Sequence, residues 1–251
     1  MTLRYALPLM LSLAGFVTGP AAALDLAAMS EAERAAFRAE VRAYLLDNPE
    51  VLMEAIAVLE DRQRGAEAVA DQAMVQANAG ALFDDGFSWV GGNPEGDITM
   101  VEFMDYRCSY CKRAFPEVED LLSADGNIRF VVKELPILGP QSVMAAQFAV
   151  AVQQLHGEQA YKGVHDALMQ LQGEINAQSL GRMANGFGLD AAPIMARMEG
   201  PEVAAVLEAN RALAQMLQIS GTPTFVIEDQ MVRGYVPLAQ MELIVADLRG
   251  Q

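Results

Sequence analysis

The feature of this sequence that most constrains its fold is a pair of cysteines between a predicted strand and a predicted helix. Residues 98–104 form an apolar run that predicts a buried strand, and the segment from Cys108 to Cys111 opens a helix predicted to end near Leu122. A second apolar run at 128–133 predicts another strand. A strand, a helix and a strand in this order predict a right-handed crossover and a parallel strand pair.

The position of the cysteine pair predicts redox chemistry. Cys108 lies at the helix start, where free amide groups and the helix dipole stabilise a thiolate, the nucleophile of disulfide exchange. Cys111, one turn further, is placed to attack a mixed disulfide on Cys108 and release the bound client. These are the only two cysteines of the chain, and a bridge between them would close almost no loop and add little stability. We therefore expect chemistry rather than a structural staple.

Other interpretations of the pair remain open at this stage. A zinc site needs four ligands, and the only two histidines, His156 and His165, lie much further along the chain. Two thiolates alone can hold Cu(I), which would make the chain a copper-binding protein. A third alternative is a non-catalytic chaperone with a structural disulfide. We predict redox chemistry without a metal or other cofactor.

The remaining segments place the cysteines in a larger pattern. Helical segments follow over about 141–217, and two short strands, at 224–228 and 231–233, precede a last helix at about 237–248. Pro223 stands at the start of the first of these strands, a position that suits a residue without an amide donor. Its X-Pro bond can adopt the cis form at modest cost. The order predicts an α/β, thioredoxin-like fold with an inserted helical domain.

The N-terminal segment predicts export. Arg4, an apolar run at 5–17 and Ala21-Ala22-Ala23 are typical of a signal peptide cleaved after residue 23. The run is too short to span a bilayer. The net charge of −16 argues against nucleic acid and anionic membrane surfaces as partners.

Residues 24–80 predict a helical oligomerisation region ahead of a catalytic domain at 81–251. Ser30 and Glu33 form a capping-box pattern, and a second helix is predicted from Pro49 to about Asn78. Packing of these helices against their own domain is the alternative to self-association. The predicted coiled-coil seam of the second helix consists of Leu52, Ile56, Leu59, Gln63, Ala66, Ala70, Ala73 and Ala77.

The cysteine motif, the helical block and the segment 221–224 together resemble the DsbA-like family of thiol-disulfide oxidoreductases, over about 85–250. The resemblance implies that Pro223 is cis and that Thr222 and Pro223 bind an extended substrate peptide facing the cysteines. The N-terminal helices and the segment 132–140 are similar to the ScsC branch, which is linked to copper tolerance and to oligomeric disulfide isomerases. Ser109 and Tyr110, between the cysteines, complete the predicted substrate-binding set.

Two residues near the cysteines bear on the activity. Tyr110 stands where the strongest oxidases of the family carry a histidine, and a neutral phenol supplies no positive charge to favour the thiolate. We therefore expect weaker oxidising power. Glu102, on the predicted buried strand, is the expected proton acceptor for Cys111. The alternative is a structural ion pair with Arg129 or Lys133.

These observations predict an exported, periplasmic thiol-disulfide oxidoreductase, and the seam favours a disulfide isomerase. Several linked active sites hold one misfolded client while its bonds are broken and reformed. The expected partners are cysteine-containing exported proteins, a membrane-bound redox partner and further copies of the chain, bound through the N-terminal helices. A monomeric oxidase of the DsbA type is the alternative.

Overall fold

A computed structural model of the chain describes residues 28–250. These residues divide into two compact units, one that ends at Glu60 and one that begins at Asp61. The predicted signal peptide, residues 1–23, lies outside the described residues. Within 28–250, no helix combines the length and the apolar character that a membrane crossing requires.

The N-terminal unit contains helix α1 (Glu31–Asp47) and the start of helix α2 (Glu50–Ala77). The predicted capping box is present, since the Glu33 amide donates to the Ser30 hydroxyl and the Ser30 amide donates to the Glu33 carboxylate, at 3.4 and 2.8 Å. Among the described residues of α1 none is buried. The helix therefore leaves most of its apolar side chains in solvent, with Leu45 half-buried.

The second unit is built on a five-stranded mixed sheet. Strands β2 and β3 are parallel, and every other neighbouring pair is antiparallel, in the order β1-β3-β2-β4-β5. β2 has the bounds predicted from its apolar run. β1 begins at Trp89, directly after Phe87 and Ser88, whose amides donate to the Asp85 carboxylate. The strands are β1 Trp89–Gly92, β2 Ile98–Met104, β3 Ile128–Glu134, β4 Thr224–Ile227 and β5 Gln230–Arg233.

Helices cover both faces of the sheet, and five of them are inserted between β3 and β4. This architecture confirms the predicted thioredoxin-like fold with an inserted helical domain. The helices of this unit after α2 are α3 Ala79–Phe83, α4 Ser109–Asp125, α5 Pro140–His156, α6 Glu158–Gln170, α7 Ala177–Gly186, α8 Ala191–Met198, α9 Pro201–Met216 and α10 Leu238–Gly250.

Alternating residues of the central strands supply two separate apolar clusters. Met100 and Met104 belong to the larger cluster, which includes residues of α4, α5 and α6. Val101 and Phe103 point to the opposite face and belong to a smaller cluster, which includes Val75 of α2. The sheet therefore has a buried residue at nearly every position of β2.

The later part of α2 belongs to the sheet unit, whereas the sequence pattern grouped all residues before 81 with the N-terminal helices. Val75 is 2% exposed, and the Asp71 carboxylate accepts two hydrogen bonds from the Arg233 guanidinium, at 2.5 and 2.8 Å. A buried valine and a paired aspartate tie this stretch of helix to the sheet. The unit that contains the cysteines therefore begins near Asp61, ahead of the expected boundary.

Candidate active site

The turn between β2 and α4 carries the two cysteines and is held by a buried carboxylate. Asp105 accepts hydrogen bonds from the amides of Arg107, Ile137 and Leu138, at 2.7, 2.8 and 3.0 Å. Cys108 is the N-cap residue of α4, with extended backbone angles. These bonds fix the first cysteine at the helix start, next to the loop that follows β3.

Cys108 faces the segment that precedes β4. Its sulfur lies 3.1 Å from the carbonyl oxygen of Thr222, and the Thr222-Pro223 peptide bond is cis. The Pro223 carbonyl in turn accepts a hydrogen bond from the Gly234 amide at 2.9 Å. The structure therefore brings Cys108, Thr222 and Pro223 together, although Thr222 and Pro223 lie more than a hundred residues after the cysteine in the sequence.

The two thiols have opposite electrostatic environments. A hydrogen bond from the Cys111 thiol lowers the pKa of Cys108 to about 5, and backbone amides at the helix start act in the same direction. The same hydrogen bond and burial raise the pKa of Cys111. At neutral pH this arrangement favours a Cys108 thiolate beside a protonated Cys111.

Glu102 is buried beneath the cysteines without the structural ion pair considered as its alternative role. Its Oε1 atom has no hydrogen-bond partner, and Lys133 instead donates to Asp85 and to the Ala81 carbonyl. Arg129 and Lys133 occupy the strand positions that point to the other face of the sheet. Burial, followed by the negative charges of Cys108 and Glu134, raises the pKa of Glu102 to about 8.

The residues between the cysteines are exposed. Tyr110 leaves 56% of its surface in solvent, and Ser109 is exposed beside it. Sequence reasoning did not identify two apolar neighbours of the turn, Ile137 and Leu138, which are 40% and 53% exposed. The one sequence signal available was Asp105, a carboxylate directly after a buried apolar strand, which needs hydrogen-bond donors and finds them in the amides of these two residues.

Sequence reasoning also missed a buried polar cluster on the sheet face that carries Glu102. The Glu134 carboxylate accepts hydrogen bonds from the phenols of Tyr106 and Tyr161, at 2.7 and 2.6 Å. The Tyr106 phenol oxygen also lies 3.0 Å from Nδ1 of His165. Trp89 stacks on the rings of Tyr161 and His165. His165, which the sequence places far from the cysteines, therefore contacts a residue of the cysteine turn.

The metal interpretation finds no conventional ligand cluster in the part of the chain that the structure describes. Over residues 28–250, no group of three or more histidine, cysteine or acidic side chains is arranged to hold an ion. His165 is instead enclosed by aromatic rings. Burial lowers its pKa to about 3, which keeps the ring neutral.

Comparison with known families gives two separate matches. Residues 99–246 match the model described as the DSBA-like thioredoxin domain, and residues 33–66 match the one described as the copper resistance protein ScsC N-terminal domain. The first match contains the cysteine turn, Glu102 and the cis peptide. The second contains most of α1 and the first part of α2.

Three known proteins illustrate the likeness. A thioredoxin-like oxidoreductase from Silicibacter pomeroyi DSS-3 is 44% identical, with a TM-score of 0.64, covering 68% of this chain and 98% of its own. A linker-deletion mutant of Proteus mirabilis ScsC is 28% identical, with a TM-score of 0.66, covering 89% of this chain and 98% of its own. The Na(+)/H(+) antiporter NhaA 1 of Salinispora arenicola is 32% identical over 58% of this chain and 22% of the antiporter. The chain thus spans about a fifth of that relative's length.

Proposed function

This chain belongs to the DSBA-like thioredoxin domain family, and we propose that it is an exported thiol-disulfide oxidoreductase that rearranges the disulfides of other exported proteins. The observation that carries the proposal is the environment of Cys108. Cys108 is the N-cap residue of α4, and its sulfur takes a hydrogen bond from Cys111 and lies against the Thr222 carbonyl beside the cis peptide. A thiol with a lowered pKa at a helix start is the group that attacks disulfides.

In the proposed reaction, the Cys108 thiolate attacks one sulfur of a client disulfide and expels the other as a client thiolate. Cys111 then passes its proton to Glu102 and attacks Cys108, which releases the second client sulfur as a thiolate that takes up a proton from solvent. The client is reduced and the cysteine pair is oxidised. Isomerisation results when a second client thiol attacks the mixed disulfide first and returns the Cys108 thiolate. A membrane-bound redox partner restores the dithiol after complete turnovers.

The client is proposed to bind across the turn and the cis-proline segment. Ser109 and Tyr110 offer exposed side chains directly after Cys108. Thr222 and Pro223 lie on the other side of the Cys108 sulfur. An extended client segment between these two groups would place its own sulfur near Cys108.

The isomerase assignment is supported by the exposed apolar face of the N-terminal unit. A groove of about 490 Å³ is lined by residues of α1 and the start of α2, mainly Phe37, Val41, Leu45 and Leu52. Phe37 and Val41 are 45% and 40% exposed. Exposed apolar residues repeating along a helix are typical of a helix-helix interface. We propose that a second copy of the same unit occupies this groove, which links several active sites.

Export is proposed from the sequence of residues 1–23 alone. N-terminal sequencing of the protein purified from its host should find a mature start near Leu24, and an intact Met1 would argue against export.

The oxidoreductase proposal is tested by trapping. In a Cys111→Ala variant, no thiol remains to resolve the mixed disulfide, so Cys108 should accumulate stable client adducts in cells. Diagonal gels that separate these adducts before and after reduction would identify them. A Cys108→Ala variant is the matched control and should trap none. Absence of adducts from both variants would contradict the proposal.

The isomerase proposal is tested by weakening the groove without touching the cysteines. Val41→Asp should produce monomers in light scattering and should slow the refolding of a scrambled disulfide protein, while oxidation of a small dithiol is kept. Leu243→Asp changes an exposed leucine of α10, 70% exposed, and should alter neither property. If the parent is already monomeric, a monomeric oxidase becomes the better assignment.

A Cu(I)-binding function is the second candidate, and the match of residues 33–66 to a copper resistance protein favours it. Two adjacent thiols suit this soft ion. Titration with Cu(I) in the presence of a competing chelator decides between the two. Stoichiometric binding that Cys108→Ala abolishes, in a protein that turns over no disulfide, would make copper binding the main function.

A further inference from the structure

Glu134 is a buried carboxyl group that the proposed reaction does not use. It ends β3, is 3% exposed, and accepts both phenol hydrogen bonds of Tyr106 and Tyr161 on the single atom Oε1. Its other oxygen, Oε2, is buried without a partner. A buried carboxyl group with only one oxygen hydrogen-bonded is costly to ionise, so its position beside a reactive turn calls for a functional explanation.

Glu134 lies on the same sheet face as Glu102. In the parallel pair of β2 and β3, Met104 is the partner of Glu134, and Glu102 precedes Met104 by two positions. Side chains two residues apart on a strand point to the same face. One oxygen of each carboxyl group, Oε1 of Glu102 and Oε2 of Glu134, is buried without a hydrogen-bond partner. The two groups cannot both be charged without strong repulsion.

We propose that Glu134 is a positioning residue of the redox site, which sets how readily Glu102 accepts the proton of Cys111. The proposal rests on the proposed function. In the step concerned, the Cys111 S–H bond breaks, its proton goes to the Glu102 carboxylate, and the Cys111 sulfur bonds to Cys108 while the Cys108–client S–S bond breaks. A charged Glu134 makes Glu102 a stronger base that is ionised only at higher pH. A neutral Glu134 leaves the basicity of Glu102 unchanged.

Within this cluster, Glu102 and Glu134 are the two buried acids whose pKa values lie near neutral pH. Burial raises the pKa of Glu134 to about 8, against the effect of the two phenols. Both phenols have pKa values raised by burial and stay neutral, as does His165. The titratable groups that interact with Glu134 are Glu102 on β2, Asp105 and Tyr106 in the following turn, and Tyr161 on α6. Cys108 and Cys111 at the start of α4 interact with Glu102, and His165 on α6 contacts Tyr106.

The test follows the reduced, full-length protein as it reacts with an excess of a chromogenic aromatic disulfide. A first phase, dependent on reagent concentration, reports the attack by Cys108, and a second, first-order phase reports resolution by Cys111. The second phase should accelerate with rising pH as Glu102 ionises. In Glu134→Gln we expect its midpoint to move down by about one pH unit, the scale on which a neighbouring charge shifts a pKa, with an unchanged first phase.

Three further variants separate positioning from packing. Tyr161→Phe removes one hydrogen bond that favours charged Glu134 and should move the midpoint in the same direction by less. Ser142→Ala removes another buried, unpartnered oxygen that lies outside the cluster, and it should leave the midpoint unchanged. In a Glu102→Gln background the acceleration that depends on Glu102 should be lost, and Glu134→Gln should not change the pH profile of the second phase any further. Trp89 fluorescence shows whether the packing of the cluster persists, because this ring stacks on Tyr161 and His165.

The outcomes distinguish the two proposals. If Cys108 gives no fast first phase in the parent, the proposed oxidoreductase function fails. If the first phase is fast and neither Glu134→Gln nor Tyr161→Phe moves the midpoint, only the role of Glu134 is overturned. A shift that persists in the Glu102→Gln background would also overturn it, because Glu134 would then act by another route. If Glu134→Gln does not fold, the result for Tyr161→Phe decides.

Discussion

At the scale of single residues, the hydrogen bond between the thiols gives them different tasks. It lowers the pKa of Cys108 to about 5 and raises that of Cys111. We expect iodoacetamide to alkylate Cys108 much faster than Cys111 at neutral pH, at a rate that falls as the pH drops through about 5. Mass spectrometry of the labelled protein checks this directly. Equal, slow labelling of both thiols would contradict the assignment of Cys108 as nucleophile.

The cause of the low Cys108 pKa is open to a separate test. Because the bond from Cys111 is its largest contribution, Cys111→Ala should move the alkylation midpoint upward, towards the ordinary thiol value of about 8.5. Ser109→Ala changes the neighbouring exposed side chain and serves as the control. A midpoint unchanged in Cys111→Ala would assign the low pKa to the helix-start amides and the Thr222 contact instead.

Glu102 should couple the stability of the protein to pH. Its pKa is raised to about 8 in the folded state, mainly by burial, against about 4.3 in an unfolded chain. Folding thus favours the protonated form, and the stability it provides is complete below about pH 4 and is lost as the pH rises through about 8. We expect Glu102→Gln to be more stable than the parent above pH 8, by on the order of a few kcal/mol, with little difference below pH 4.

Thermal unfolding across this pH range measures the effect. The control is Glu95→Gln, a change at an exposed glutamate, which should follow the parent at every pH. Parallel curves for Glu102→Gln and the parent would mean that the buried carboxyl group keeps an ordinary pKa, and would remove the basis of its role as proton acceptor.

At the scale of elements, one ion pair holds the later part of α2 to the edge strand. The two hydrogen bonds between Arg233 and Asp71 are partly buried, and Gln72 bonds to Asp229 in the same hairpin. We expect Asp71→Ala to lower the free energy of unfolding by about 1–2 kcal/mol, measured in urea, because the bonds are charge-assisted and paired. Asp61→Ala breaks a largely exposed pair with Arg64 and should cost under about 1 kcal/mol. Equal losses would contradict the anchoring role.

Strand β2 and helix α2 show where sequence patterns are sufficient to predict the structure and where they are not. β2 was predicted with its observed bounds because a continuous apolar run between polar segments has one good solution, a strand buried on both faces. The buried positions of α2 are Asp71 and Val75, whereas the pattern highlighted Ala70 and Ala73. An aspartate buried by an arginine 162 positions away carries no local signal.

The residues of the candidate site also divide into those with a local sequence signal and those without one. The cysteines and Glu102 stand out locally, since they follow or interrupt an apolar strand, and Pro223 was identified by family resemblance. Glu134 looked like the polar end of a strand, and its partner Tyr161 lies in a helix 27 positions later. Contacts that tertiary packing creates between distant segments could not be inferred from one sequence.

At the scale of the whole molecule, association and redox chemistry involve different units. The exposed groove is formed by residues that precede Glu60, and every residue of the candidate active site follows Asp61. Separate compact units can be separated by truncation when the cut leaves each core intact. The position of the cut therefore decides whether a truncation tests association or merely damages the fold.

A chain that starts at Asp61 should be a monomer that keeps the Cys108 alkylation profile and loses isomerase activity, because its active sites are no longer linked. A chain that starts at Ala81 should be less stable and prone to aggregate, because removal of Val75 uncovers apolar residues of the second sheet face, such as Val101 and Phe103. Light scattering, alkylation and refolding of a scrambled disulfide protein compare both with the mature chain. A mature chain that is monomeric at micromolar concentration would make the exposed groove irrelevant to association. The isomerase assignment would then lose its support, and a monomeric oxidase would explain the same cysteine chemistry.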